Sequence, residues 1–165
     1  MRIDIAPMLR GETNLIGFDY ELRLEEDFFG DDIACGEPLK VTGRIENMAG
    51  YMKLTAKAVL HYTAKCARCM KDVPSELAVE LEKTVAVKGT LVNEDNDDYI
   101  LSEDGFIEID EPLKEQLLLE FPFRHLCSEE CKGLCPVCGK DLNEGPCGCD
   151  TKRIDPRLEV LRKLL

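Results

Sequence analysis

Long hydrophobic runs are absent from this 165-residue sequence. No stretch approaches the ~18 apolar residues that a membrane-spanning helix needs, and the first residues, MRIDIAPMLRGETNLIG, lack the basic and apolar regions of a signal peptide. We therefore expect a soluble, cytoplasmic protein with no membrane partner. The length and the 44% hydrophobic content suit one globular domain, or one domain with a small appendage.

Positive charge and histidine are also scarce. The chain carries 21 Lys and Arg against 33 Asp and Glu, a formal net charge of −12, which argues against a protein that coats nucleic acid through its overall field. Catalytic zinc sites commonly use histidine or carboxylate ligands and keep one position open, and this chain has only two histidines. It also has no nucleophile elbow, P-loop or dinucleotide-binding fingerprint. We therefore expect that the protein is not an enzyme.

Cysteine, by contrast, is abundant. Six of the nine cysteines lie in residues 127–149, and a Cys-x-x-Cys pair, Cys66 and Cys69, stands far upstream. In a reducing compartment this spacing favours metal ligation over disulfides, and an odd count fits complete pairing poorly. The turn from Cys135 to Gly139 has the Cys-Pro-x-Cys-Gly form of a zinc knuckle, in which two thiolates converge on one ion. The sequence therefore predicts bound Zn²⁺.

Eight clustered cysteines are enough for two four-thiolate zinc sites. The division that we favour places in one site Cys66, Cys69, Cys127 and Cys131, and in the other Cys135, Cys138, Cys147 and Cys149. A rival division combines the two Cys-x-x-Cys pairs in one site and leaves the other four cysteines for the second. A single ion with four reduced thiols is a third possibility, and spacing alone leaves all three open. Cys35 is left over and is interpreted as a bystander.

The two histidines have different interpretations. His125 lies two residues before Cys127, where it would either replace a cysteine as ligand or form a hydrogen bond near the site. His61 is out of phase with the core-facing residues of its strand, so we expect it to be exposed.

Alternation of hydrophobic and polar residues predicts a mainly β protein. Strands are indicated at 18–24, 39–45, 54–62, 77–87 and 106–109. Turn residues at 47–50 join the second and third of these into a hairpin. The first Cys-x-x-Cys pair then lies at the tip that joins two long antiparallel strands. The acidic run at 93–98 is interpreted as a solvated loop.

Two helices are predicted from their capping residues and leucine spacing. Asp110 has the properties of an N-cap, with Pro112 in the first turn of a helix that stops before Pro122. We expect its leucines to dock on the sheet. A second helix is predicted from Asp155 onwards, in a locally basic tail that suits either the helix dipole or an acidic ligand such as RNA phosphate.

These elements predict an α+β, mainly β fold, with an antiparallel sheet or partly open barrel and one or two short helices. We expect a β-rich domain with a docking helix at 1–126. A cysteine-rich zinc-binding element with a C-terminal helix follows at 127–165.

The order of the motifs resembles the YceD family, the large ribosomal RNA subunit accumulation proteins. The resemblance rests on CARC at the hairpin tip, an acidic loop, IDEPLKEQLLLEFPF, CSEECKGLCPVCGKDLN and a terminal Cys-x-Cys. It implies a bacterial cytoplasmic protein involved in the accumulation or processing of large-subunit ribosomal RNA, with no known catalytic activity. Family members that lack the CPxCG segment keep the first Cys-x-x-Cys and a His or Cys pair after the helix, which favours the first division of ligands.

Three function classes follow from these observations. The leading hypothesis is a non-enzymatic ribosome-assembly factor that acts on large-subunit RNA or on a basic ribosomal protein, which an acidic body would attract. A zinc hydrolase or thiol redox enzyme is the alternative, although a redox Cys-x-x-Cys belongs at a helix N-terminus rather than a hairpin tip. A DNA-binding zinc finger is disfavoured because no helix of the cysteine cluster presents basic residues to a groove.

Overall fold

The computed structural model describes residues 1–49, 51–90 and 97–150. Its elements are β1 (Arg2–Asp4), α1 (Ala6–Leu9), β2 (Leu15–Leu22), β3 (Ile33–Ala34), β4 (Leu39–Met48), β5 (Tyr51–Lys65), β6 (Asp72–Val87), β7 (Tyr99–Ser102), β8 (Phe106–Glu108) and α2 (Asp110–Glu120). Strands predominate, so the mainly β fold class is confirmed.

Six strands form one sheet in the order β2-β4-β5-β6-β7, with β3 beside β5, while β1 and β8 form a separate antiparallel pair. Strands β2, β4 and β5 are antiparallel neighbours, with Val41 opposite both Tyr20 and Ala58. The sheet is mixed rather than purely antiparallel, because β7 runs parallel to β6 with Thr84 opposite Tyr99.

Strand β5 shows how the sequence pattern defines the buried face of the sheet. Alternate residues from Met52 to Ala64 are buried, including Leu54 and Leu60. Burying each such leucine contributes about 1.5–3 kcal/mol. His61 is exposed, as predicted.

Helix α2 covers part of this core. Leu113 and Leu117 are fully buried in the core, as predicted for the leucines of this helix, but Leu118 is 50% exposed, so the prediction is wrong for that residue. Beyond the helix end, the ring of Phe121 stacks on Phe29 at 4.0 Å and lies 5.0 Å from Tyr62. These aromatic contacts hold the chain in place as it leaves the helix.

The start of α2 differs from the prediction by one residue. Asp110 is the first helical residue and Ile109 occupies the N-cap position without a side-chain cap. The carboxylate of Asp110 instead accepts a hydrogen bond from the hydroxyl of Tyr20 at 2.8 Å. The predicted C-terminal helix from Asp155 lies outside the described residues.

The chain divides into two compact units. The sheet unit comprises Met1–Ala64 and Pro74–Phe123, and it contains the hydrophobic core described above. The cysteine unit comprises Lys65–Val73 and Arg124–Leu165, and it contains the eight clustered cysteines. Among the described residues, no helix has the length and apolar character needed to cross a bilayer.

Candidate metal centres

The first candidate centre joins two distant parts of the cysteine unit. Cys66 and Cys69 come from the loop between β5 and β6, and Cys127 and Cys131 from the segment after α2. The Sγ atoms of Cys66 and Cys131 are 3.9 Å apart, and those of Cys69 and Cys127 are 3.6 Å apart. Sulfurs bound to one tetrahedral metal ion at ~2.3 Å lie roughly 3.8 Å from each other. These two distances are close to that value, and all four sulfurs lie within 4.8 Å of one another, so the group could hold a metal ion.

The loop that carries the first two sulfurs is a tight knuckle. The N–H group of Cys66 donates to the carbonyl of Lys71 at 2.8 Å, and the N–H group of Met70 donates to the carbonyl of Cys66 at 2.9 Å. Met70 has φ = 62°, in the left-handed region that glycine usually occupies. The chain thus turns back sharply enough to bring Cys66 and Cys69 to the same side.

The second candidate centre is local in sequence and repeats this knuckle. Its four sulfurs also lie within 4.8 Å of one another, and they belong to Cys135, Cys138, Cys147 and Cys149. The N–H group of Cys135 donates to the carbonyl of Lys140 at 2.8 Å, and that of Gly139 donates to the carbonyl of Cys135 at 2.9 Å. Gly139 has φ = 71° and stands where the first knuckle has Met70. The predicted Cys-Pro-x-Cys-Gly turn is therefore formed as a knuckle.

Met70 and Gly139 occupy equivalent positions in the two knuckles, both with a positive φ. A non-glycine residue in the left-handed region costs about 1 kcal/mol or more, so Met70→Gly should relieve strain and tighten metal binding at the first centre about 5-fold in a chelator competition. The reciprocal change Gly139→Ala introduces the same backbone strain at the second centre and no steric clash, because no atom lies within 4 Å of the added Cβ. It should therefore weaken metal binding at the second centre by a similar factor. Weaker binding in the Met70 variant would contradict this account.

Hydrogen bonds from backbone and side-chain N–H groups lower the pKa of two thiols of the first centre. The N–H groups of Arg68 and Cys127 lower the pKa of Cys66 to about 6. The side-chain amide of Asn143 donates to the sulfur of Cys131 at 3.4 Å and lowers the pKa of that thiol. The pKa of Cys127 is raised to about 12, firstly because its thiol is hydrogen-bonded to Cys131. A metal cation would remove this difference, since it deprotonates coordinating thiols.

The thiols of the second centre also differ in pKa. The N–H groups of Cys138 and Val137 lower the pKa of Cys135 to about 6. The pKa of Cys149 is raised to about 12, firstly by its hydrogen bond to Cys138. Each centre thus has at least one thiol ready to ionise near neutral pH, to which a metal ion can bind first.

The structure brings together the same two groups of four cysteines that the favoured division proposed. It does not bring the two knuckles, Cys66 with Cys69 and Cys135 with Cys138, into one group. Cys35 belongs to neither group and lies in the sheet unit, where burial raises the pKa of its thiol.

Of the two interpretations of His125, the structure does not support a metal ligand. Neither group of four includes His125, whose backbone carbonyl accepts a hydrogen bond from Ala67 at 2.9 Å. Arg68 donates from one guanidinium nitrogen to the carbonyls of Glu129 and Cys131 at 3.0 and 2.8 Å. The contact of Asn143 with the first centre was missed, because no spacing rule identifies an amide that lies beside a sulfur.

The chemistry of the donors limits what each centre can do. Both groups consist of cysteine alone, so four sulfurs would complete a tetrahedral shell. A shell closed in this way leaves no position for water or substrate on the ion. Two ions held by four cysteines each are therefore compatible with the geometry.

Comparison with known proteins identifies relatives along most of the chain. The model of the family described as large ribosomal RNA subunit accumulation protein YceD matches residues 54–165. An uncharacterized protein of Mycobacterium tuberculosis is 30% identical over 79% of this chain, and the matched region is 63% of the length of that relative. The uncharacterized protein YlbN of Bacillus subtilis is 31% identical over 90% of this chain and 87% of its own length.

No solved structure matches the chain. The family model covers both candidate metal centres, from the knuckle at Cys66 and Cys69 to the final Cys147 and Cys149. With this match and the Bacillus relative, the chain belongs to the YceD family.

Proposed function

We propose that this protein is a non-enzymatic, zinc-binding ribosome biogenesis factor that supports the accumulation or processing of large-subunit ribosomal RNA. The observation that carries the proposal is the family match, whose description names large ribosomal RNA subunit accumulation. The relatives from Mycobacterium and Bacillus are bacterial, which is consistent with a role in bacterial ribosome assembly.

The two cysteine centres support the zinc-binding part of this proposal. Tetrahedral four-thiolate coordination is typical of structural zinc, which has no redox chemistry and no preferred geometry of its own. A closed shell favours a structural role over a hydrolytic one, because a catalytic zinc needs an open position. The ions would stabilise the cysteine unit and would not take part in a reaction.

The charge of the chain supports a basic ribosomal protein as the direct partner. A net charge of −12 repels RNA phosphate but attracts cationic proteins at long range. Helix α2 and the residues that follow it combine this charge with exposed apolar surface. Leu119 in the helix and Phe123 beyond it are 77% and 104% exposed, and Glu115 and Glu120 of the helix are also exposed. A cationic segment with apolar side chains would complement this surface.

The first test is sedimentation of the tagged protein from a growing-cell lysate through a sucrose gradient at low and high salt, with RNA sequenced from each peak. Comigration with large-subunit precursors at low salt, and its loss at high salt, is the expected result, since the proposed contacts include charges. A protein that stays in the light fractions at every salt concentration, without ribosomal RNA or protein, would exclude stable ribosome association.

A surface variant makes the test specific. Replacing both Leu119 and Phe123 by serine should lower the comigrating fraction about 10-fold, because a contact of ~1.4 kcal/mol or more would be lost. The matched control is Leu15→Ser, which removes an exposed leucine elsewhere (55% exposed) and should leave comigration unchanged. Equal comigration of both variants would place the partner on another surface.

A further inference from the structure

The segment that follows the second knuckle reaches the first metal centre. The side-chain amide of Asn143 donates to the sulfur of Cys131 at 3.4 Å and to Asp141 Oδ1 at 2.7 Å. Its oxygen accepts a hydrogen bond from the N–H group of Lys132 at 2.8 Å. A residue of the second knuckle's flank therefore contacts a ligand of the other centre directly.

Asp141 makes a second link to the first knuckle. Lys71 Nζ lies 2.7 Å from Asp141 Oδ2 and 3.6 Å from Glu144 Oε1. The backbone carbonyl of Lys71 accepts the hydrogen bond from Cys66 that closes the first knuckle. The Asp141 side chain is only 12% exposed, so this ion pair is partly shielded from water.

Backbone contacts between the two segments that flank the second knuckle hold these two linking residues. Leu134 and Asp141, which flank the second knuckle on either side, are paired in an antiparallel bridge. The N–H group of Leu142 donates to the carbonyl of Gly133 at 2.9 Å. The knuckle lies between Leu134 and Asp141, so these contacts hold Asp141 and Asn143 in place while the knuckle keeps its conformation. A metal ion in the second centre would stabilise that conformation.

We infer that the second four-cysteine centre positions Asn143 and Asp141 against the first, so that binding of metal at one centre strengthens binding at the other. A side chain that donates a hydrogen bond to a metal ligand typically changes metal affinity 10–100-fold. Coupling between two binding sites is reciprocal, so each ion raises the affinity for the other by the same factor. Asn143 and Asp141 are positioning residues in this arrangement, not ligands.

This inference rests on metal binding by both centres and not on the ribosomal role. The test uses the full chain loaded with Cd²⁺ under reducing conditions, where each centre gives its own cadmium NMR resonance. Competition with a chelator then reports the affinity of each centre separately. A Cys69→Ser variant assigns the resonance of the first centre.

A double-mutant cycle measures the coupling. Asn143→Leu is expected to weaken the first centre about 10-fold, and removal of the second centre with Cys147→Ser and Cys149→Ser is expected to weaken it by a similar factor. In the combined variant the two losses of affinity at the first centre should not add, because removal of the second centre already breaks the contact of Asn143 with Cys131. Asn143→Asp keeps an oxygen for Lys132 but loses the donor to sulfur, and it should weaken the first centre at least as much as leucine does.

The matched control is Glu130→Gln. This change alters an exposed side chain next to Cys131 in sequence and leaves both groups of four cysteines intact, so it should change the first centre less than about 2-fold. A first centre that keeps its affinity and its cadmium resonance in the Cys147→Ser, Cys149→Ser chain would overturn the inference. So would an Asn143→Asp chain that behaves as the wild type.

The possible failures can be told apart. A wild-type chain that binds no ion at either centre would overturn both this inference and the zinc-binding part of the proposed function. Two ions bound independently would overturn the inference alone. Coupled ions in a protein that does not sediment with ribosomal precursors would support the inference and exclude only stable ribosome association.

Discussion

Removal of metal with a chelator under reducing conditions is expected to unfold the cysteine unit and to leave the sheet unit folded. Among the described residues of the cysteine unit, the buried apolar cluster consists mainly of the ligands Cys66, Cys69 and Cys131, with Val73 and Leu126 packed against them. Structural zinc contributes about 10–16 kcal/mol of apparent binding free energy in small zinc domains. Without the ions, so small a cluster cannot offset the loss of chain entropy on folding.

The sheet unit has its own core and should respond differently. Its buried cluster includes residues from both sheets and from both helices, among them Ile5, Met8, Leu54 and Leu113. Chelation should therefore leave the β-sheet circular dichroism signal largely unchanged. In the same experiment, amide hydrogen exchange in 66–71 and 127–149 should accelerate to nearly the unfolded rate, since protection depends on local opening.

A single substitution of a ligand should also cause loss of amide protection around the first centre. Cys66→Ser should produce the exchange pattern of the chelated wild type in the first centre, because three thiolates and a hydroxyl bind the ion far less well. Cys35→Ser is the control, since Cys35 lies outside both centres. Retention of full protection in residues 127–149 after complete chelation would show that metal does not determine the fold of this unit.

Local periodicity accounts for the part of the fold that the sequence predicts well. Strands β4, β5 and β6 each alternate more buried and more exposed residues over most of their length, because one face of the sheet is buried and the side-chain period of a strand is two. The short elements β1 and α1 have too few residues for a period to appear. The parallel pairing of β7 with β6 could not be predicted, because it depends on the path between the strands and not on the pattern within them.

The candidate sites show a similar contrast. The type and spacing of the cysteines predict the two knuckles, because the ligand pairs are local. The assignment of Cys127 and Cys131 to the first group was favoured by the family resemblance, since spacing alone left the rival division open. Arg68 shows what neither source supplies: its contacts with the carbonyls of Glu129 and Cys131 depend on the complete tertiary arrangement.

Gly133→Ala is expected to cause a large loss of metal affinity at the first centre. Gly133 has φ = 73°, and an added Cβ would lie 2.9 Å from the carbonyl oxygen of Arg68, inside the first knuckle. That oxygen accepts a hydrogen bond from Leu134 at 3.0 Å, so it cannot move away without breaking the contact. The left-handed backbone costs about 1–2 kcal/mol and overpacking about 1–3 kcal/mol. We expect metal affinity at the first centre to fall about 30-fold or more in a chelator competition.

Alanine substitutions at two other glycines distinguish the effect of backbone strain from the effect of the steric clash. At Gly139, with φ = 71° and no atom within 4 Å of an added Cβ, alanine introduces only the backbone strain. At Gly148, which also has open space and lacks a positive φ, alanine introduces neither cost. The loss of affinity at the centre nearest each change should therefore be negligible for Gly148→Ala, about 5-fold for Gly139→Ala and largest for Gly133→Ala. If Gly133→Ala and Gly139→Ala lost affinity equally, the close approach of Gly133 to Arg68 would not contribute to metal binding at the first centre.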